Sequence, residues 1–401
     1  MRHSYFMKLM TVFILLIFLA ASVAMGGNPR SKPFLPKLPP GWIEITPGPT
    51  HYMGRDLNPT CSGYPGTDPT FKFFVKKGPI NNLLVFFDGG GACWDTMNCI
   101  YVPTYTRIVD ESAELLSLAG GIFDLKNPAN PFKEWNFVFI PYCTGDIHWG
   151  SADKIYPGYK GDGPYTIHHR GFDNFLVVLK WITENFKKPH KILVTGSSAG
   201  SYGALLGFPY IQEAFPKSMV SMLGDAGFGV VTDLFHNYQI YNWGFSQNLP
   251  TWIPSFERPF SEYTIAEMYK MIGQYYRHQK ICQYTTAWDA TQTAFYNIMI
   301  NINDPSKWLT IPSEVWCDWH EGMLENAYTA AEAKNYRYYI AAGTSHTILA
   351  YPEFYEEDSA DIPFIEWVRA MVENQGGTHG HGAIPWKNVE CVECGAPVSC
   401  P

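Results

Sequence analysis

A glycine–serine turn between an apolar segment and a helix-patterned segment is the feature that most constrains how this chain can fold. Residues 192–195 are biased towards apolar side chains and lead directly into "GSSAG" at 196–200, and a helical pattern follows. In so tight a change from strand to helix, side chains on the flanking positions would clash, which accounts for Gly196 and Gly200. The central residue, Ser198, is then expected above the end of the strand with a strained backbone.

The pattern Gly-x-Ser-x-Gly between a strand and a helix is typical of the nucleophile elbow of an α/β-hydrolase. On this interpretation Ser198 is a nucleophile at a helix N-terminus, where backbone amides point towards an arriving anion. The alternative is a glycine-rich helix start that binds an anion or only packs. The short pattern also occurs by chance, so the surrounding segments decide between the two interpretations.

Strand and helix patterns alternate along the rest of the chain. The continuous apolar runs at 83–87 and 136–142 are expected of strands that are covered on both faces, and 171–186 has apolar residues at helical spacing. This alternation predicts an α/β-hydrolase-like fold, with a mostly parallel central sheet and helices on both faces. Between 228 and 330 the composition shifts to tryptophan, tyrosine and polar residues, which predicts an inserted helical cap.

The first 24 residues have the pattern of a secretory signal peptide: positive charges, a short apolar run and small residues at the cleavage position. A retained anchor is the alternative, but the apolar run is shorter than the roughly 20 residues that a membrane-spanning helix needs. We therefore expect a secreted, extracellular protein, or a periplasmic one in a Gram-negative bacterium, without a stable membrane span after signal removal. The remaining predicted segments are a proline-rich lead at 25–58, a catalytic domain at 59–375 and a cysteine-containing tail at 376–401.

The charge balance argues against a nucleic-acid partner. The 401 residues carry a formal net charge of −8, and no run is rich in lysine or arginine. Proteins that bind nucleic acid present a basic surface to the phosphates. The acidic charge balance otherwise bears on solubility.

A nucleophilic serine needs a base, and the oxyanion that it generates needs hydrogen-bond donors. The base is expected in a loop after the last strand, where "YIAAGTSHTIL" places His346. The donors are expected to be the Ala199 amide and amides in "FFDGGGACW", where consecutive glycines, among them Gly90 and Gly91, let the backbone approach a ligand. The alternative for that loop is a plain glycine turn.

Two aspartates can orient the base, and the residue pattern alone does not separate them. Asp225 follows a predicted strand 27 residues after Ser198, and Asp289 lies 57 residues before His346. Both positions preserve the order Ser, Asp, His that the fold requires.

Six sequence blocks occur in the order of the pectin acetylesterase and Notum family of secreted carboxylesterases, which the chain resembles over roughly residues 59–351. These blocks are "FFDGGGACWDTMNC", "FIPYCTGDIHWG", "TGSSAGSYGALL", "GDAGFG", "AWDATQ" and "GTSHTIL". The resemblance implies Ser198 as nucleophile, His346 as base and Asp289, in a block with Gln292, as the acid. Asp225 becomes a pocket-floor or structural residue. The implied oxyanion-hole amides are those of Gly90, Gly91 and Ala199, and no cofactor or metal is required.

Two departures from the family pattern concern the acyl pocket. Many relatives have an aromatic residue in the glycine block, where this chain has Gly91 and Ala92, and a cysteine after the catalytic histidine, where it has Thr347. A substrate of the plant or animal branch therefore does not carry over directly.

The nine cysteines of the chain are expected to form disulfides in an oxidising compartment. The resemblance implies the pairs Cys93–Cys99 and Cys61–Cys143, and Cys282–Cys317 is the pair that we predict next. That leaves three cysteines in the tail. Two of them, in "CVEC", form the alternative of a zinc site with His379 and His381 nearby.

We expect a secreted serine carboxylesterase that removes acetyl groups from a polysaccharide such as pectin, with an acylated carbohydrate or another ester as its partner. One alternative is a longer-chain acyl or protein-lipid deacylase, which would need a deeper pocket. Another is a catalytically inactive hydrolase fold that binds carbohydrate, and the complete set of Ser198, His346 and Asp289 argues against it.

Overall fold

The computed structural model describes residues 38–111, 114, 118–158, 162–373 and 386–400. The strands are β1 (Trp42–Ile45), β2 (Thr50–Tyr52), β3 (Arg55–Leu57), β4 (Phe73–Lys76), β5 (Leu83–Phe87), β6 (Asn136–Ile140), β7 (Ala152–Tyr156), β8 (Tyr165–His169), β9 (Lys191–Ser197), β10 (Met219–Asp225), β11 (Lys280–Thr286), β12 (Tyr336–Ala341), β13 (Asp358–Ser359), β14 (Ile362–Pro363) and β15 (Val389–Glu390). The α-helices are α1 (Gly171–Asn185), α2 (Ala199–Ala214), α3 (Asp233–Asn237), α4 (Ile265–Tyr275), α5 (Ala290–Ile300), α6 (Ser313–Ala331), α7 (Glu353–Glu356) and α8 (Phe364–Val372).

A nine-stranded sheet in the order β1-β4-β6-β5-β9-β10-β11-β12-β15 forms the centre of the protein. The strands from β6 to β15 in this order pair in parallel, while β1 and β4 join the edge as antiparallel strands. The predicted mostly parallel sheet is confirmed. The parallel strands end at one edge, and the loops that leave this edge carry the residues of the candidate site.

Both faces of the sheet are covered, which is why its central strands are apolar throughout. All five residues of β5 are buried, and alternate side chains belong to two different cores. Leu83, Val85 and Phe87 pack in the core that α1, α2, α4 and α6 cover. Leu84 and Phe86 pack in the core that α8 covers. The helices on both faces of the sheet are therefore confirmed as well.

The segment 228–330, predicted as a cap, contains a central strand of the sheet. β11 runs between β10 and β12, with α3 and α4 before it and α5 and α6 after it. The sequence pattern does not indicate this strand, because its polar side chains suggest an exposed segment, whereas in the structure they are buried and hydrogen-bonded. Gln283 donates from Nε2 to the Gly227 carbonyl at 2.9 Å and accepts from the Tyr336 hydroxyl at 2.6 Å.

The disulfide bonds differ from the predicted set at one pair. Cys61 is joined to Cys143 and Cys93 to Cys99, the two pairs that the family resemblance implies. The prediction of Cys282–Cys317 is wrong: Cys317 is joined to Cys400, and Cys282 is a buried free thiol. Cys282 packs in the core on the α8 side of the sheet, whereas α6, which carries Cys317, covers the opposite face.

The tail is tied to the body by its cysteines. Cys391 and Cys394 are joined to each other, so their sulfurs are not available as zinc ligands, and His379 and His381 lie outside the described residues. β15 pairs with β12, and the Gly343 amide donates to the Cys394 carbonyl at 3.0 Å. The tail therefore contacts the loop that follows β12.

The predicted signal peptide, at residues 1–24, lies outside the described residues, as do residues 25–37 of the proline-rich lead. The rest of the predicted lead, residues 38–58, contains β1, β2 and β3. In the part of the chain that the structure describes, no helix has the length and hydrophobicity needed to cross a membrane.

Candidate active site

The turn between β9 and α2 has the backbone geometry of a nucleophile elbow. Ser198 has φ 57° and ψ −122°, a conformation that side chains rarely adopt. Its amide donates to the Asp225 carbonyl at 2.7 Å. A Cβ atom on Gly200 would lie 1.9 Å from the Phe87 carbonyl oxygen, and one on Gly196 would lie 2.5 Å from the same atom. The two glycines are required because the elbow presses against the end of β5.

The glycine loop that follows β5 lies beside this elbow. Gly90 and Gly91 have φ values of 146° and 77°, and a Cβ atom on Gly91 would lie 2.1 Å from the Thr104 carbonyl oxygen. The loop is fixed on one side by the Thr106 amide, which donates to the Gly90 carbonyl at 2.8 Å. None of the described residues accepts a backbone hydrogen bond from the amides of Gly90 and Gly91. The Ala199 amide is among the first-turn amides that a helix leaves unpaired.

His346, in the loop after β12, is hydrogen-bonded to a buried carboxylate. Its Nδ1 lies 2.8 Å from Oδ2 and 3.0 Å from Oδ1 of Asp289. The side chain of Asp289 is fully buried, and that of His346 is 20% exposed. A carboxylate only accepts, so Nδ1 carries the proton and Nε2 is left with a lone pair. Nε2 has no hydrogen-bond partner among the described residues.

The position of Asp289 is fixed by the start of α5. Asp289 is the N-cap of this helix, and its Oδ1 accepts from the amides of Thr291 and Gln292 at 3.0 and 2.9 Å. The Gln292 side chain donates to Oδ2 at 2.9 Å. Burial disfavours the charged imidazole of His346, but the hydrogen bond and charge of Asp289, with the charge of Asp225, outweigh it and raise the pKa of His346 above its ordinary 6.5.

Asp225, the other aspartate that the sequence allowed, contacts the backbone around the histidine rather than its ring. Its Oδ2 accepts from the Ser197 hydroxyl at 2.7 Å and from the amides of Ile348 and Leu349, both at 3.0 Å. Burial raises the pKa of Asp225 to about 6, although these donors oppose the shift. Asp225 therefore joins the elbow to the loop that carries His346.

His148 is a site residue whose role sequence reasoning missed. It is buried in the loop after β6, and its Nε2 lies 2.9 Å from the Asp88 carbonyl oxygen. Burial lowers the pKa of His148 to about 4, so the ring is neutral and donates from Nε2 to that carbonyl. This contact holds the start of the glycine loop. The only sequence signal was the block "FIPYCTGDIHWG", which contains His148 without indicating a function.

Two cavities meet at Ser198. The walls of the apolar cavity are Trp94, Ile147, Val230, Val231, Phe235, Trp243, Ile265, Met299 and Trp319. The second, which we call the Asp88 cavity, is lined by Asp88, Thr347 and Tyr351 among others. Both cavities are lined by Gly91, Ser198, Thr291, Phe295 and His346.

The sheet order and the strand–elbow–helix turn define an α/β-hydrolase-like protein. A family profile described as pectinacetylesterase matches residues 58–258. The chain belongs to the pectinacetylesterase family. The crystal structure of the Wnt deacylase Notum from Drosophila has the same fold, with a TM-score of 0.52, 18% identity and coverage of 83% of this chain and 95% of that chain.

Curated relatives fall in two groups. The chain is 25% identical over 171 residues to pectin acetylesterase 11 of Arabidopsis thaliana, which is 41% of each chain. It is 26% identical over 196 residues to palmitoleoyl-protein carboxylesterase notum2 of Xenopus laevis, which is 47% of this chain and 38% of the relative. The matched region thus spans less than half the length of either relative.

The contact between the elbow and β5 gives a stability prediction. Gly200→Ala should lower the free energy of unfolding by about 3 kcal/mol, because the new methyl group meets a backbone carbonyl that cannot move away. The matched variant Gly48→Ala, at an exposed position with no atom within 4 Å of the new Cβ, should change it by less than about 0.5 kcal/mol. Urea unfolding of both variants measures the difference, and equal losses would refute the close contact.

Proposed function

We propose that this protein is a serine carboxylesterase with Ser198 as nucleophile, His346 as general base and Asp289 as the orienting acid. The observation that carries the proposal is the imidazole of His346, held by a buried carboxylate at Nδ1 with Nε2 unpaired, in a cavity that Ser198 also lines. This arrangement argues against an inactive carbohydrate-binding fold, because packing alone gives no reason for a strained serine beside it.

The proposed reaction follows from these positions. The Ser198 hydroxyl gives its proton to Nε2 of His346 while Oγ attacks the ester carbonyl carbon, and the carbonyl electron pair moves to the oxygen. The amides of Gly90, Gly91 and Ala199 donate to that oxyanion. When the intermediate collapses, the alkoxide leaves with the proton from Nε2, and an acyl-serine remains. Water then gives a proton to Nε2 and attacks the acyl carbon, and the carboxylic acid departs as Ser198 regains its proton.

We also propose that the protein acts outside the cytosol. Four disulfide bonds join eight of the nine cysteines, and disulfides persist in oxidising compartments rather than in the cytosol. This supports export, which the N-terminal sequence pattern also predicts.

The apolar cavity favours an acyl chain longer than acetyl. An acetyl group needs only a shallow slot. The apolar side chains that line this cavity, among them Trp94, Phe235 and Trp319, offer contacts to a longer hydrocarbon chain. Removal of an acetyl group from a polysaccharide, as the names of the plant relatives suggest, remains the competing proposal. The names of the animal relatives, palmitoleoyl-protein carboxylesterases, agree with the longer chain.

The first test concerns the nucleophile. Ser198→Ala should abolish both hydrolysis of p-nitrophenyl esters and covalent labelling by a fluorophosphonate, because the other hydroxyl of the elbow, that of Ser197, is hydrogen-bonded to Asp225. Ser197→Ala should keep most of the activity and lose about 1 kcal/mol of stability, since Ser197 only donates to Asp225. Loss of labelling in the Ser197 variant but not in the Ser198 variant would move the nucleophile by one residue.

The second test separates the two aspartates. Asp289→Asn should lower turnover on the order of 10⁴-fold, because the imidazolium loses its stabilising charge. Asp225→Asn, assayed below its melting temperature, should lose far less. Since the base must be neutral, kcat/KM of the wild type should fall as the pH drops through the pKa of His346, which lies above 6.5. Asp289→Asn should shift this limb to lower pH, and a larger effect of Asp225→Asn on turnover and on this limb would refute the assignment.

The third test measures acyl length. The kcat/KM of the wild type should increase from p-nitrophenyl acetate to the octanoate. Val231→Phe, which narrows the apolar cavity, should reduce the octanoate-to-acetate ratio by about tenfold or more. The matched variant Val392→Phe, at a position that is 87% exposed, should leave the ratio unchanged. Fastest hydrolysis of the acetate with no effect of Val231→Phe would instead support the acetyl esterase.

A further inference from the structure

The Asp88 cavity is suited to the alcohol part of the ester, the carrier of the acyl group. The leaving oxygen takes its proton from His346, so the carrier must lie on the side of the histidine loop. Thr347, the next residue in that loop, lines the Asp88 cavity but not the apolar cavity. Ala199, on the far side of the elbow, lines only the apolar cavity. With the acyl chain in the apolar cavity, the carrier occupies the other.

The charges around the two cavities have one sign. No lysine or arginine lines either cavity within the described part of the chain. Asp88 is the carboxylate that lines the Asp88 cavity, and His346 and Tyr351 are the other ionisable side chains in its lining. Glu114 is buried nearby, and burial and the charges of Asp88 and Asp110 all raise its pKa. A carboxylate in this cavity would meet repulsion and find no cationic partner.

We propose that the Asp88 cavity binds an uncharged, hydroxyl-bearing carrier and discriminates against carriers with a carboxylate. Asp88 is partly exposed at the end of β5, where an ionised carboxylate accepts hydrogen bonds from hydroxyl groups. Tyr351 lines the same cavity with 52% of its surface exposed and offers a ring face to the apolar side of a sugar-like carrier. This inference rests on the proposed esterase function and specifies its substrate.

The discrimination should depend on pH. Burial raises the pKa of Asp88, although the Gly89 amide opposes the shift, and burial followed by the charges of Asp88 and Asp110 raises the pKa of Glu114. The two carboxyl groups therefore gain negative charge as the pH rises, and the repulsion of a charged carrier increases with it. The imidazoles of His346 and His148 are also titratable groups close to Asp88. His148 is neutral, and protonation of His346 lowers kcat/KM by the same factor for substrates that carry the same ester, so it cancels in their ratio.

The test uses the full-length protein and three substrates that carry the same butyryl ester on the same hydroxyl: a methyl galactoside, the corresponding galacturonoside and the methyl ester of that galacturonoside. We expect kcat/KM to be on the order of tenfold lower for the charged galacturonoside than for the two uncharged substrates at pH 8 and low salt. The difference should shrink at high salt and at pH 6.

Asp88→Asn should bring the three values of kcat/KM together. The matched variant Asp318→Asn removes an exposed charge on α6, outside the Asp88 cavity, and should leave the ratios unchanged. The inference is overturned if the wild type hydrolyses the charged and uncharged substrates with equal kcat/KM, a result that does not depend on whether Asp88→Asn folds. It is also overturned if a folded Asp88→Asn variant keeps the ratios of the wild type. Hydrolysis of p-nitrophenyl butyrate that Ser198→Ala abolishes keeps the esterase proposal standing in either case, whereas its absence would refute that proposal instead.

Discussion

The arrangement of the candidate site depends on one backbone contact, between the elbow and the end of β5. Gly196 and Gly200 lie so close to the Phe87 carbonyl that neither position has room for a Cβ atom. Phe87 is the last residue of β5, and the glycine loop follows it directly. The contact therefore sets the distance between Ser198 and the amides of Gly90 and Gly91, which the proposed mechanism requires to be within reach of one oxyanion.

Polar contacts from four other segments hold the remaining groups around this contact. His148 binds the carbonyl of Asp88 from the loop after β6, and Asp225 binds the backbone beyond His346 from the end of β10. Asp289 holds the imidazole from the start of α5. The tail contacts the same loop through the Gly343 amide, which donates to the Cys394 carbonyl, and the Trp288 amide, from the segment before α5, donates to the Gly343 carbonyl. Each contact joins segments that are far apart in sequence, so the site is a property of the folded sheet.

The sequence could predict the parts of this arrangement that depend on local chemistry. The continuous apolar run of β5 predicts a doubly covered strand, because both of its faces are buried. The glycines of the elbow predict a tight turn for a steric reason that the structure reproduces. The strand β11 could not be recognised, because it contains the polar residue Gln283, which is buried. Its hydrogen-bond donor, the hydroxyl of Tyr336, lies 53 positions away, so the sequence does not show that the side chain has a partner.

Spacing could not separate Asp225 from Asp289 either. Asp225 is the last residue of β10 and Asp289 follows the neighbouring parallel strand β11, so both lie at the same edge of the sheet. Only the hydrogen bonds distinguish them: Asp289 contacts the imidazole, while Asp225 contacts backbone amides. The prediction of a disulfide at Cys282 is wrong for a similar reason, because the sequence does not show which face of the sheet a cysteine in an unrecognised strand will occupy.

The most direct test of the esterase proposal is a crystal structure of the protein after reaction with an octyl phosphonate ester. We expect a covalent bond from phosphorus to Oγ of Ser198, with the phosphoryl oxygen about 2.7–3.1 Å from the amides of Gly91 and Ala199. The octyl chain should lie in the apolar cavity, against the wall that Trp94 and Phe235 form together. A phosphonate bound to another residue, or a phosphoryl oxygen that points away from both amides, would refute the proposed mechanism.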